Sequence, residues 1–231
     1  MLSDYGKTLT ELTSRVLLLI DDPAGERFAT ASIWEAINDA MLDLALDTQL
    51  IKEKLTVNLL EDQHLYEIQE RIATNGTLRP YGFPVRIVYN LATDAAITPI
   101  SSAMYDLART GFYESNRPLA WRIDLFSYGE VAFFPIPAAN GSALPLLTGN
   151  VQVTYVALPT KMIIGTSTPD ALQAQYHEAV AIRAAELLLD EGNAEDLMFA
   201  DGFEADYDRW TQRIVGDQYR GMTHYDSVRP M

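Results

Sequence analysis

The 231-residue sequence contains no cysteine, which excludes disulfides, thiolate metal sites and cysteine nucleophiles, and fits a reducing compartment. Histidine is scarce, at three residues, so a zinc site would have to draw on all of them. Basic charge is also short. With 17 Lys and Arg against 32 Asp and Glu, the formal charge is −15. Each phosphate contact needs a cation, so a broad nucleic-acid or anionic-membrane surface is disfavoured. Long hydrophobic runs are missing near the N-terminus. The stretch Val16 to Ile20 is too short for a signal peptide or a membrane span, and a soluble, non-exported protein without a membrane partner is expected. What is present is a globular composition, 48% hydrophobic, in a chain long enough for one or two domains.

Periodicity divides the chain. Leu9, Leu12, Val16, Leu19 and Ile20 recur at helical spacing from Thr8 to Ile20, ahead of Pro23 and Gly25. Ser32 with Glu35 has capping-box spacing and heads a second helix, whose stripe of Ile33, Ile37, Ala40, Met41, Leu44 and Ala45 ends near Leu50. From Lys52 the period becomes two, through Leu55, Val57 and Leu59. Further strands are predicted over His64 to Ile68, Val85 to Tyr89, Trp121 to Phe126, Glu130 to Phe134 and Val151 to Val156, forming an antiparallel sheet. Trp121 to Phe134 reads as a hairpin turning at Ser127, Tyr128 and Gly129, the glycine supplying positive φ. A short helix is predicted from Ser102 to Arg109. Helical spacing returns with a third helix from Pro169 to Gly192 and a fourth from Ala194 to about Val215. The fold class is therefore α+β: a helical bundle built from the N- and C-terminal helix pairs (1–50 and 160–218), an inserted antiparallel β domain (51–159) and a C-terminal tail (219–231).

Complete catalytic motifs are lacking. His177 and Glu178 open like a zinc helix, but Ala181 stands where the second histidine belongs. Gly165-Thr166-Ser167-Thr168-Pro169 ends in proline where a nucleophile elbow needs glycine, and the four lysines, Lys7, Lys52, Lys54 and Lys161, lack phosphate-loop context. No cofactor or metal is expected. Acidic residues from Glu186 to Asp208, with no base between Ala184 and Asp208, allow three readings. They are a solvated helical face, a carboxylate pair for glycan hydrolysis or cation binding, or a wall that repels passing DNA. The stretch Arg71 to Pro84, with Arg71, Arg79, Tyr81 and Phe83, reads as a partner loop or an ordinary connection. The tail either frays or orders on a partner. Asn75-Gly76-Thr77 and Asn140-Gly141-Ser142 read as turns.

Leu9-Thr10-Glu11-Leu12 leading into Arg15-Val16, the helix Ile33 to Ala40, Phe134-Pro135-Ile136-Pro137, Val153-Thr154-Tyr155 and Asp190-Glu191-Gly192-Asn193-Ala194 together resemble the head-to-tail adaptor (connector) proteins of tailed bacteriophages. The resemblance covers nearly the whole chain. It implies a structural protein, not an enzyme. Copies would form a ring, in this family normally a dodecamer, at the head-tail junction of a virion assembled in host cytoplasm. The ring would dock on the portal protein, carry the tail nozzle or tail fibre proteins and surround double-stranded DNA in passage. The portal-binding arm would then be Tyr219, Arg220, Met222, His224, Tyr225, Val228, Arg229 and Pro230, and the channel acids Glu195, Asp196, Asp201 and Glu204. Trp34, Arg209, Trp210 and Arg213 would anchor the subunit interface, although Trp34 and Trp210 equally suit the core. The competing readings are a carboxylate-based glycan hydrolase and a virion interaction module that forms no ring.

Overall fold

Thr8 and Glu11 begin the first helix, α1 (Leu9–Leu19), with a reciprocal cap: the Thr8 hydroxyl accepts from Glu11 N–H, and the Glu11 carboxylate accepts from Thr8 N–H at 2.7 Å. The computed structural model describes residues 6–60, 63, 65–75, 78–89, 95–101, 114–115, 120–123, 129–134, 136–137, 150–169, 172–190 and 194–226. Its chain divides into two units, residues 1–51 with 159–231, and residues 52–158.

In unit one, α1 buries Leu9, Leu12 and Val16, and α2 (Thr30–Thr48) buries Ile33, Ala36, Ile37, Ala40, Met41, Leu44 and Ala45. The second helix starts before the predicted cap at Ser32. Its first intrahelical bond runs from Ile33 N–H to the Ala29 carbonyl, and no side chain caps it. Left-handed Gln49, φ 51°, ends it. The third predicted helix is shorter than expected. Gln173 is extended, a 3-10 turn spans Ala174–Tyr176, and α4 runs only over His177–Asp190. Leu172 and Tyr176 are buried outside the helix, so the apolar spacing looked continuous across a break in the backbone. The last helix, α5 (Ala194–Asp226), is longer than expected and absorbs much of the predicted tail. Helices α1, α2, α4 and α5 pack on one another, α4 touching each of the other three.

In unit two, β1 (Lys52–Asn58), β2 (Leu65–Glu67), β3 (Tyr81–Tyr89), β4 (Ala95–Pro99), β6 (Ala120–Ile123), β7 (Glu130–Phe134) and β9 (Asn150–Ala157) form a seven-stranded sheet in the order β1-β9-β3-β4-β6-β7-β2. A separate two-stranded sheet joins β5 (Glu114–Ser115) and β8 (Ile136–Pro137). The expectation of an all-antiparallel sheet is corrected, because β4 pairs with β6 and β5 with β8 in parallel. The chain from Pro99 to Ala120 is long enough for the crossover that a parallel pair requires. The short helix α3 (Ile68–Asn75) occupies the start of the predicted loop from Arg71 to Pro84, and β3 occupies its end. β6 and β7 pair as the predicted hairpin, Trp121 opposite Phe133, and the Trp121 indole donates to the Ile97 carbonyl at 3.0 Å. Gly129 serves a different purpose from the one predicted. Among the described residues the positive-φ glycine is Gly25, whereas a Cβ on Gly129 would lie 2.7 Å from the Gln69 side chain. The predicted helix Ser102 to Arg109, the turn residues Ser127 and Tyr128, and the second Asn-Gly turn lie outside the described residues.

The molecule is thus mixed α+β, and no helix among the described residues is long and apolar enough to cross a membrane.

Candidate functional site

At the start of unit one, buried His177 on α4 accepts the Lys7 backbone N–H at Nδ1, 2.9 Å, and its Nε2 lies 3.3 Å from the Leu172 carbonyl. Burial, aided by the nearby Lys7 charge, holds the ring's pKa below its ordinary value against the Leu172 bond. Glu178 beside it takes Lys7 Nζ at 2.6 Å and Arg15 at 2.5 Å. These two cations, directly hydrogen-bonded, outweigh its partial burial and hold the carboxyl below the usual carboxylate range. His177 and Glu178 therefore fasten the chain's first segment to α4.

A second polar group sits between α2, α4 and α5. Arg183 bonds Asp43 at 2.7 Å and Glu186, and stacks 5.3 Å over the Tyr207 ring, while the Tyr207 hydroxyl donates to Asp47 at 2.9 Å. Burial pushes the Glu186 carboxyl up, Arg183 opposes, and Glu204 and Asp190 add repulsion. Its Oε2 is buried with no hydrogen-bond partner among the described residues. Among those residues, no group of three or more His, Asp or Glu side chains is placed to hold a metal ion.

Third, unit one presents large apolar side chains to solvent: Ile163 and Ile164 on the loop 159–169, and Leu197, Met198 and Phe199 in the first turns of α5. The loop is firmly held. Asn38 on α2 accepts from Met162 N–H and donates to the Met162 carbonyl, while Leu9 and Thr10 N–H groups donate to the Ser167 and Gly165 carbonyls. The same bonds satisfy donors at the start of α1 that the helix leaves open. Sequence reasoning weighed Lys161 and Gly165 to Pro169 in this loop only as incomplete catalytic motifs and passed over the apolar run Met162-Ile163-Ile164 beside them.

The predicted acidic wall is partly dismantled. Asp196, expected to line a channel, is buried instead, and Arg27 Nη2 donates to both of its carboxylate oxygens, at 2.9 and 2.8 Å. Asp201 and Glu204 are exposed, and Glu195 lies on α5. Among the described residues, the predicted partner loop is helix at its start and strand at its end, with Arg79 in the irregular stretch between. Arg71 lies on α3, 5.8 Å over the Tyr66 ring. Arg79 pairs with Glu53 at 2.6 Å, and Glu53 also accepts from the Tyr155 hydroxyl. Tyr81 and Phe83 belong to β3, Tyr81 buried 5.5 Å from the Tyr155 ring and Phe83 half-buried. Sheet pairing with β9 drew these residues inward.

The expected tail is corrected in the same way: Tyr219, Arg220, Met222, His224 and Tyr225 continue α5, with Tyr219 exposed. Backbone hydrogen bonding extends a helix where no apolar stripe marks it. Val228, Arg229 and Pro230 lie outside the described residues. Of the expected interface anchors, Trp34 and Trp210 are half-buried, Arg213 stacks 5.1 Å over Trp210, and exposed Arg209 reaches Asp206 at 2.9 Å. No protein-family model matches the chain, and no curated protein sequence is significantly similar to it.

Proposed function

We propose that the chain is a structural head-to-tail adaptor of a tailed bacteriophage particle, one subunit of a ring beneath the portal. In this reading the helices of the two chain ends form a bundle that makes the ring body, with the β unit inserted between them. The ring, a dodecamer, connects the portal to the nozzle or fibre proteins of the tail and surrounds the DNA. The observation that supports this reading is the union of residues 1–51 with 159–231 in one unit whose rigidly held backbone carries solvent-facing Ile163, Ile164, Met198 and Phe199. A lone subunit gains nothing from such side chains, whereas a ring subunit needs two unlike contact surfaces. Exposed Asp201 and Glu204 suit a channel wall, since like charge keeps the phosphate backbone from adhering.

Native mass spectrometry of the protein mixed with purified portal protein of the same particle tests the assignment. A dodecamer bound to the portal is expected, and the absence of any portal complex, with the full chain and with residues after Asp217 removed, would refute it. A monomer in the absence of portal is compatible, because assembly is coupled to binding.

A further inference from the structure

Gly6 and Lys7, just ahead of α1, are held by two neighbouring residues in the first turn of α4. Lys7 N–H donates to Nδ1 of His177 at 2.9 Å, and Lys7 Nζ reaches Glu178 at 2.6 Å. Gly6 lies against the same ring, where a Cβ would sit 3.4 Å from Cε1. The helix that follows does not depend on these contacts. Its start is secured by the reciprocal cap of Thr8 and Glu11, and by the Leu9 and Thr10 N–H groups bonded to the Ser167 and Gly165 carbonyls. Thr8, extended at φ −71° and ψ 165°, is the boundary between that anchored helix and the two residues before it.

The histidine contact exists in one protonation state only. A ring nitrogen that accepts a backbone N–H carries no proton, so the proton of neutral His177 is on Nε2, which faces the Leu172 carbonyl at 3.3 Å. A second proton would land on Nδ1 and point one N–H at another. The residue is 2% exposed, so burial opposes a charged ring, and Lys7 repels it. Glu178 offers little relief, because one of its oxygens takes Lys7 and the other takes Arg15 of α1. Against its partial burial, these bonds hold the Glu178 carboxyl below the usual range, so it stays ionised at pH values where histidine gains its proton. The least costly route to protonation is to part Lys7 from the ring and admit water. α4 itself stays seated, since Ala179, Val180, Ala181, Ala184 and Ala185 are fully buried.

We infer that Gly6 and Lys7 form an acid-released strap: neutral His177 holds them on α4, and a proton on Nδ1 frees them while the helices of unit one stay packed. The closed strap excludes the proton and the open one accepts it near the ordinary histidine value of about 6.5, so each pH unit below that value multiplies the open population by up to about ten. The switch lies within one subunit and does not rest on the adaptor reading.

Amide hydrogen exchange of the full chain, followed residue by residue by NMR and corrected for its intrinsic pH dependence, reads the contact directly. Between pH 7.5 and 5.0 the protection of Lys7 N–H is expected to fall about thirtyfold. Ile20 N–H, bonded to the Val16 carbonyl at the end of α1, and the amides of α4 from Val180 to Leu188 should keep theirs within about twofold. Unchanged protection at Lys7 would overturn the strap, and a parallel loss across α4 would show unfolding of unit one and overturn local release. His177→Asn keeps an acceptor at the Nδ1 position that no proton removes. Its Lys7 protection is expected to be equal at both pH values, and an acid-dependent fall there would assign the release to another group and overturn the switch. The natural chain supplies a reading free of substitution: the nitrogen chemical shift of His177 Nδ1 should be that of an unprotonated acceptor at pH 7.5, and a proton on Nδ1 at that pH would overturn the mechanism.

Discussion

Asn38→Leu removes the clamp that holds the projecting loop. Asn38 is buried on α2, and its amide donates to the Trp34 carbonyl at 2.7 Å and the Met162 carbonyl at 3.1 Å while accepting from Met162 N–H at 2.7 Å. Leucine has the same branched set of four side-chain heavy atoms and is bulkier, so no cavity is left and the loss of polar partners sets the cost. The Trp34 carbonyl keeps its helical bond, whereas both Met162 backbone groups lose their partner. Each buried polar group left unpaired costs about 1–3 kcal/mol, and the apolar side chain returns about 1–2 kcal/mol, so a net loss of about 3 kcal/mol is expected. For a unit of this size that lowers the melting midpoint by about 12 °C. Urea and thermal unfolding followed by circular dichroism measure it. A loss below about 1 kcal/mol would refute the reasoning, because the Met162 groups would then be served by water. Asn38→Asp supplies a sharper check. Its ionised carboxylate keeps the acceptor for Met162 N–H but faces two carbonyl oxygens, and protonation restores one donor. Its deficit should therefore shrink as pH falls through the carboxyl range.

Three further outcomes are expected. Because His177 has a folded pKa below its unfolded value of about 6.5, its neutral form supports the fold fully above that pH, and stability declines as pH falls through it. Urea midpoints at pH 7.5 and 5.5 should show the decline in the natural chain and a smaller one in His177→Gln; equal slopes would contradict the assignment. Glu186 has the opposite sign, its raised pKa meaning that the ionised form opposes folding at neutral pH. Glu186→Gln should stabilise by about 1 kcal/mol at pH 7, with the difference fading below the unfolded carboxyl pKa of about 4.3; a destabilised variant at pH 7 would show that the Arg183 bond dominates. Gly202→Ala should stabilise the isolated chain by about 0.5–1 kcal/mol, and a loss in thermal unfolding would reveal a hidden clash.

The sequence was most legible where one period ran unbroken. The stripes of α1 and α2, the alternation in β1 and the β6–β7 hairpin all carry local signals that packing reinforced, whereas the capping box read at Ser32 and Glu35 forms instead at Thr8 and Glu11. Reading failed where burial and backbone conformation part company. Leu172 and Tyr176 are interior without belonging to an α-helix, and the end of α5 is helical without an apolar stripe. The pairing of β4 with β6 joins segments whose partnership no local pattern encodes. At the candidate surface, charge counting found the acids but could not tell buried Asp196, aimed at Arg27, from exposed Asp201 one turn later. Ile163 and Ile164 escaped because two apolar residues in an aperiodic stretch look alike whether they point inward or out. Their exposure depends on Met162 being clamped by a residue of α2 that is remote in sequence.

The first and last strands of unit two lie side by side, Lys52 opposite Val156 and Asn58 opposite Asn150. Across such a ladder the backbones are about 5 Å apart, a gap that a short turn can bridge. Closing so short a gap carries a small entropy cost, whatever length of chain separates the two strands. The chain between β1 and β9 can therefore change in length without widening the gap that unit one must close.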